Sequence, residues 1–191
     1  MIKTYMMIME ELGEYSAPAN KLGRMTKEGT YIQIVKGLYE TERSTPGYLL
    51  GGSIYGPSYL SFDYALSQYG LIPEAVYVFT SATFEKKKTK KYNTPFGRFT
   101  YRDVPSSVYP VGINLKKDGD YFYQIATPEK ALCDKLYTMP PVSNKKEIWS
   151  LLFDDLRIDE IEFAKMDTQR LLKICELYHS TNMKMLAKLV R

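Results

Sequence analysis

The sequence predicts an α+β fold, and three observations lead to it. Residues 46–83 contain no Lys or Arg and only Asp63 and Glu74 as acids, so the middle of the chain reads as domain interior. Between residues 75 and 125 short runs alternate apolar with polar residues and are broken by Gly and Lys, the pattern of half-buried strands. From Thr127 to the end, apolar residues return at helical spacing. The expected order is a small N-terminal unit, a mixed or antiparallel sheet and a C-terminal helical tail.

Taken in order, Ile2, Tyr5, Met6, Met9 and Leu12 fall at helical spacing over residues 3–12, and Gly13 is the stop. A second helix is expected over 17–28, capped by Ser16 and ended by Gly29. At 100° per residue, Pro18, Ala19, Leu22, Met25 and Thr26 share one arc. Asn20, Lys21, Arg24, Lys27 and Glu28 share the opposite arc, which gives the helix a basic outer face. Tyr31–Val35, Lys36-Gly37 and Leu38–Glu40 then read as a β-hairpin with a glycine-containing turn. Helix, helix, two-stranded wing is the ending of a winged helix-turn-helix, a fold that normally has three helices. Only two fit before this wing, so residues 1–44 read as a truncated winged-helix-like unit. Thr41–Thr45, short and polar, is the expected linker to a larger domain over 45–191.

Thr45-Pro46 opens a helix expected to run to Ile54, with Pro at the first helical position. Pro57 and Ser58 bring the chain in extended, and Ser61 is placed to cap a helix over Phe62–Tyr69. Gly70 stops it and Pro73 cannot continue it. Residues 75–80 are β-rich, 84–94 read as a lysine-dense connection, and Phe96–Arg102 alternate as a strand. Val111–Leu115 and Tyr121–Ile125 flank an Asp118-Gly119 turn, a strong hairpin signal. Thr127 caps and Pro128 starts a helix whose buried side is Ala131, Leu132 and Leu136. Pro140-Pro141 breaks it, and Asn144 with Glu147 resembles a capping box ahead of Ile148. Residues 159–165, 168–178 and 182–190 are further amphipathic helices.

Catalytic and metal chemistry finds little support. The single His179 lies near a helix end, and one His with the distant Cys133 and Cys175 cannot make a standard zinc site. Gly51-Gly52-Ser53 is not followed by the Lys-Ser/Thr of a phosphate loop. Asp154-Asp155 and Asp159-Glu160 read as solvated helix faces, because Leu151, Leu152, Leu156 and Ile161 occupy the other side. The expectation is a protein without enzymatic activity, cofactor or metal. No apolar run approaches the ~20 residues of a membrane span, and the N-terminus lacks a signal-peptide pattern, so a cytoplasmic location is expected.

The net charge of +4 permits a nucleic-acid partner without demanding one. The candidate DNA-binding residues are Lys21, Arg24 and Lys27 on the second helix and Lys36 at the wing turn. Lys86, Lys87, Lys88, Lys90 and Lys91 form a candidate secondary basic surface.

Three blocks add a resemblance. YGPSYLSFDYALSQYGLIPEAVYVFTSAT, TPFGRFTYRDVP and ATPEKALCDKLY, in that order, resemble the AbiEi family of antitoxins. These are the antitoxin halves of bacterial toxin–antitoxin pairs linked to abortive phage infection. The similarity spans roughly residues 30–140. It implies a winged-helix N-terminal unit followed by an antitoxin domain, and a protein that neutralises a co-encoded nucleotidyltransferase-like toxin (AbiEii type) and represses its own operon. The chain departs from the family pattern where the middle helix is missing. A DNA-binding repressor without antitoxin activity, and an interaction module that does not bind DNA, remain as alternatives.

Overall fold

A computed structural model describes residues 1–191. The chain enters through a strand, β1 (Ile2–Thr4), and only then turns into α1 (Tyr5–Glu11), whose first turn is capped by the Thr4 hydroxyl. The helix expected from residue 3 starts later because residues 2–4 pair with the wing. The rest of the unit is α2 (Pro18–Lys27), β2 (Ile32–Val35) and β3 (Leu38–Glu40). β3 lies antiparallel between β1 and β2. Ile8, Leu12, Leu22, Tyr31 and Tyr39 close a small core of their own. Ser16 does not cap α2: Ala17 holds the cap position without a side-chain bond, and Pro18 behind it has no N–H to satisfy.

The helix expected over 45–54 is two short pieces, a 3-10 turn at Gly47–Leu49 and α3 (Gly51–Ile54). Gly51 and Gly52 are poor helix formers, which disfavours one continuous helix here. β4 (Tyr59–Leu60) and α4 (Phe62–Gln68) follow, and Gly70 ends the helix with a left-handed φ of 68°. Ser61 holds the N-cap position of α4 but makes no side-chain capping bond. Its hydroxyl donates to the Asp134 carboxylate at 2.6 Å, and the Tyr64 N–H in the first turn goes to the Thr80 hydroxyl at 3.0 Å.

The strand expected at 75–80 starts at Val78 and runs on as β5 (Val78–Thr83). Residues 90–94, expected as connection, form an edge strand, β6 (Lys90–Thr94), antiparallel to β7 (Gly97–Asp103). Pairing with a buried neighbour outweighs the charge of this segment. β8 (Ile113–Asp118) and β9 (Tyr121–Ala126) make the expected hairpin, with Gly119 at φ 56°. The sheet order is β6-β7-β5-β4-β9-β8. β5–β7 and β4–β9 are parallel and the other pairs antiparallel, so the sheet is mixed and the fold α+β.

The tail contains α5 (Pro128–Tyr137), α6 (Lys145–Ser150) running into a π-helical turn at Leu151–Asp155, α7 (Glu160–Ala164), α8 (Thr168–Leu177) and α9 (Thr181–Val190). Thr127 caps α5, and Asn144 caps α6 by accepting from the Glu147 N–H at 2.9 Å. The Glu147 carboxylate reaches back to the Ser143 N–H and the Asn144 side-chain amide, not to the Asn144 N–H of a full capping box. α5 packs against α4, α8 and α9 and is buried on nearly every side. Its polar residues are therefore paired inside the core. Lys130 donates to the Val108 carbonyl at 2.9 Å and the Tyr178 hydroxyl at 2.7 Å. Asp134 accepts from Tyr59 at 2.9 Å, from Ser61 and from Tyr178.

A third apolar cluster joins the N-terminal unit to the sheet. Ile34 of β2 is buried with Leu50, Ile54, Phe99 and Tyr101. Beside it the Tyr121 hydroxyl donates to the buried Glu40 carboxylate at 2.8 Å. No helix is long and apolar enough to cross a membrane.

Candidate functional site

α2 is positioned by Leu22, buried in the small N-terminal core, which turns the opposite side of the helix to solvent. Arg24 and Lys27 on that side are exposed. Lys21 is half-buried, its ammonium 5.2 Å from the centre of the Tyr15 ring, a cation–π placement. Lys36 is exposed at the hairpin turn, where Gly37 takes the left-handed backbone (φ 82°) the turn needs. None of these four cations is in an ion pair.

Of the lysines at 86–91, Lys86, Lys87 and Lys88 lie in the connection between β5 and β6, and Lys90 and Lys91 in β6 itself. Lys86 lies 5.3 Å from the centre of the Tyr55 ring, and the Lys87 N–H is tied to the Asp103 carboxylate at 2.6 Å. Lys90 and Lys91 are consecutive in β6 and so point to opposite faces. Lys91 is directly across from Thr100, which places it on one face with Arg98, Thr100 and Arg102 of β7. Thr80 of β5 pairs with Thr100 and joins that face. The opposite face carries Phe99 and Tyr101, both fully buried.

The open face meets the ends of two helices in a pocket of about 210 Å³. Thr80, Lys91, Thr100 and Arg102 line it from the sheet, with Thr89 beside them. Phe62 and Asp63 of α4 and Lys135 and Thr138 at the end of α5 form the wall. Lys135 is paired with Asp63 at 2.6 Å, whereas Lys91 and Arg102 have no acidic partner. Phe62 is held at φ 54°, a left-handed backbone that costs a non-glycine residue about 1–3 kcal/mol.

Arg102 and Lys135 were not among the sequence candidates. The alternation of residues 97–103 contained the signal for Arg102, but nothing local brings Lys135 to that strand. His179 is exposed, and no three His, Cys, Asp or Glu side chains converge as a metal site would require. Cys133 and Cys175 are free, buried thiols with sulfurs 3.9 Å apart, and burial pushes the Cys133 thiol well up. Asp159 caps α7 by accepting from the Glu162 N–H at 2.9 Å, so it has a structural duty. No protein-family model and no curated protein matches the chain.

Proposed function

We propose that the protein is a non-enzymatic antitoxin of a bacterial toxin–antitoxin pair, of the kind its sequence blocks resemble. It counteracts a nucleotidyltransferase-like toxin and represses its own operon by binding DNA. The observation that supports the DNA-binding half is the exposed, unpaired pair Arg24 and Lys27 on α2, in the same small unit as Lys36 at the wing turn. Cations free of internal partners are available to neutralise phosphates, which is the main source of DNA affinity. The antitoxin half draws on the resemblance over residues 30–140, most of which falls in the proposed 45–191 domain. Co-expression of the full chain with the neighbouring toxin should restore growth, and the 45–191 fragment should retain that rescue. No rescue by the folded full chain overturns the antitoxin reading and leaves a repressor.

One observation favours a second reading. Ile34 is buried against Leu50, Ile54, Phe99 and Tyr101, so the N-terminal unit also acts as cover for the sheet. Under that reading the unit is a packing element, and promoter DNA binds no better than unrelated DNA.

A further inference from the structure

We propose that the pocket between the β5–β6–β7 face and the ends of α4 and α5 binds a phosphate group. Three cations, Lys91, Arg102 and Lys135, line it against one acid, Asp63. They come from three different elements and converge only through the fold. Asp63 is committed to Lys135, which leaves Lys91 and Arg102 without a counter-charge at the same pocket. Thr89 and Thr100 add hydroxyl groups to the lining. A dianion would meet two free cations and a third released from its pair, and charge-assisted bonds of this kind are the strong ones. The guanidinium of Arg102 also offers a planar fork suited to phosphate oxygens.

Other ligand classes fit less well. Phe62, itself largely buried, is the one aromatic side chain on this side, since the Tyr101 ring points to the opposite face, so an apolar molecule would find little surface to bury. With one carboxylate and no His or Cys in the lining, the pocket has no ligand set for a cation. The volume of about 210 Å³ compares with roughly 30 Å³ per liquid water, enough for a phosphate and the first atoms attached to it. Arg98, on the same face but outside the pocket, continues the positive charge along β7. The phosphate could belong to a small ester or to a nucleic-acid strand running past Arg98. The chemistry at the pocket is the same in both cases.

The test is a titration of the full chain with inorganic phosphate at low ionic strength, followed by calorimetry. One saturable site per chain is expected. Lys91→Ala and Arg102→Ala should each weaken it about tenfold or more, the range for losing a charged hydrogen bond. Asp63→Asn should tighten binding, because Lys135 is then unpaired, and a gain of affinity cannot come from misfolding. Lys145→Ala with Lys146→Ala removes two charges on α6 and should change nothing. A short single-stranded oligonucleotide that competes with phosphate, and is weakened by Arg98→Ala, identifies a nucleic-acid source. An oligonucleotide that does not compete identifies a small ester. Absence of saturation by phosphate, or equal affinity in wild type, Arg102→Ala and Asp63→Asn, overturns the proposal. The pocket shares no residue with α2, so promoter binding and phosphate binding can fail independently.

Discussion

Lys130 and Asp134 stand one turn apart on α5, 3.2 Å between Nζ and Oδ1, with no exposure of either side chain to solvent. A buried pair of this kind owes its tolerance to complete hydrogen bonding, and here Tyr59, Ser61, Tyr178 and the Val108 carbonyl complete it. Asp134→Ala leaves an uncompensated ammonium in the core and should cost about 3–5 kcal/mol in urea unfolding. Lys130→Met with Asp134→Leu removes both charges and should cost much less. A small effect of Asp134→Ala alone would show that the pair is not sealed from water.

The same network sets the response to alkali. Burial, then the charge of Asp134, holds the Tyr59 and Tyr178 hydroxyls far above the ordinary tyrosine range. Burial raises Tyr101 likewise and pushes Tyr109 up to about 12. Below pH about 10, folded and unfolded chains both keep these protons and stability does not depend on them. Above it the unfolded chain releases protons that the folded chain retains, so stability falls by about 1.4 kcal/mol per pH unit for each such tyrosine. Burial lowers Lys130, opposed by Asp134; its effect has the opposite sign and comes from one group against several. Tyrosinate absorbance should therefore include a cooperative step coinciding with loss of circular dichroism. Smooth titration of all 17 tyrosines at their ordinary pKa, with the fold intact, would contradict this.

Gly47 is buried where a Cβ would come 2.3 Å from Cε2 of Phe79 and 2.4 Å from the Phe96 carbonyl oxygen. The ring could turn aside, but the backbone oxygen cannot. Gly47→Ala should destabilise by about 3 kcal/mol, the upper range for overpacking. Gly23→Ala, with open space around its Cβ, is the control and should be neutral or stabilising.

For operator DNA, four phosphate contacts from Lys21, Arg24, Lys27 and Lys36 would give a log–log salt slope of roughly −3.6 per protomer. Arg24→Ala with Lys27→Ala should halve the slope and weaken all sequences alike. Equal slopes for the wild type and the double variant would remove α2 as the DNA surface.

Features whose chemistry is local were legible in the sequence. Asn144 caps α6 three residues ahead of Glu147, Thr127 caps α5, and Gly70 ends α4. Features decided at long range were not. Ser61 has the right position for a cap, but Asp134, 73 residues away, takes its hydroxyl. Lys130 and Asp134 have the spacing of an exposed helix pair, and only the packing of α4, α8 and α9 around α5 buries them. The candidate pocket lies between these extremes. Lys91 was visible as a basic residue and Arg102 as part of an alternating strand, whereas Lys135 joins them through the tertiary fold.

The sheet is open at both ends, and each end is a strand with lysines: Lys90 and Lys91 on β6, Lys116 and Lys117 on β8. Unpaired edge strands offer their backbone groups to other chains, and lysine is a common residue for blocking that approach. Charge on both edges therefore disfavours the stacking of one copy on the next. Neutralising Lys91 to probe the pocket also lowers this barrier, so light scattering should accompany the titration of that variant.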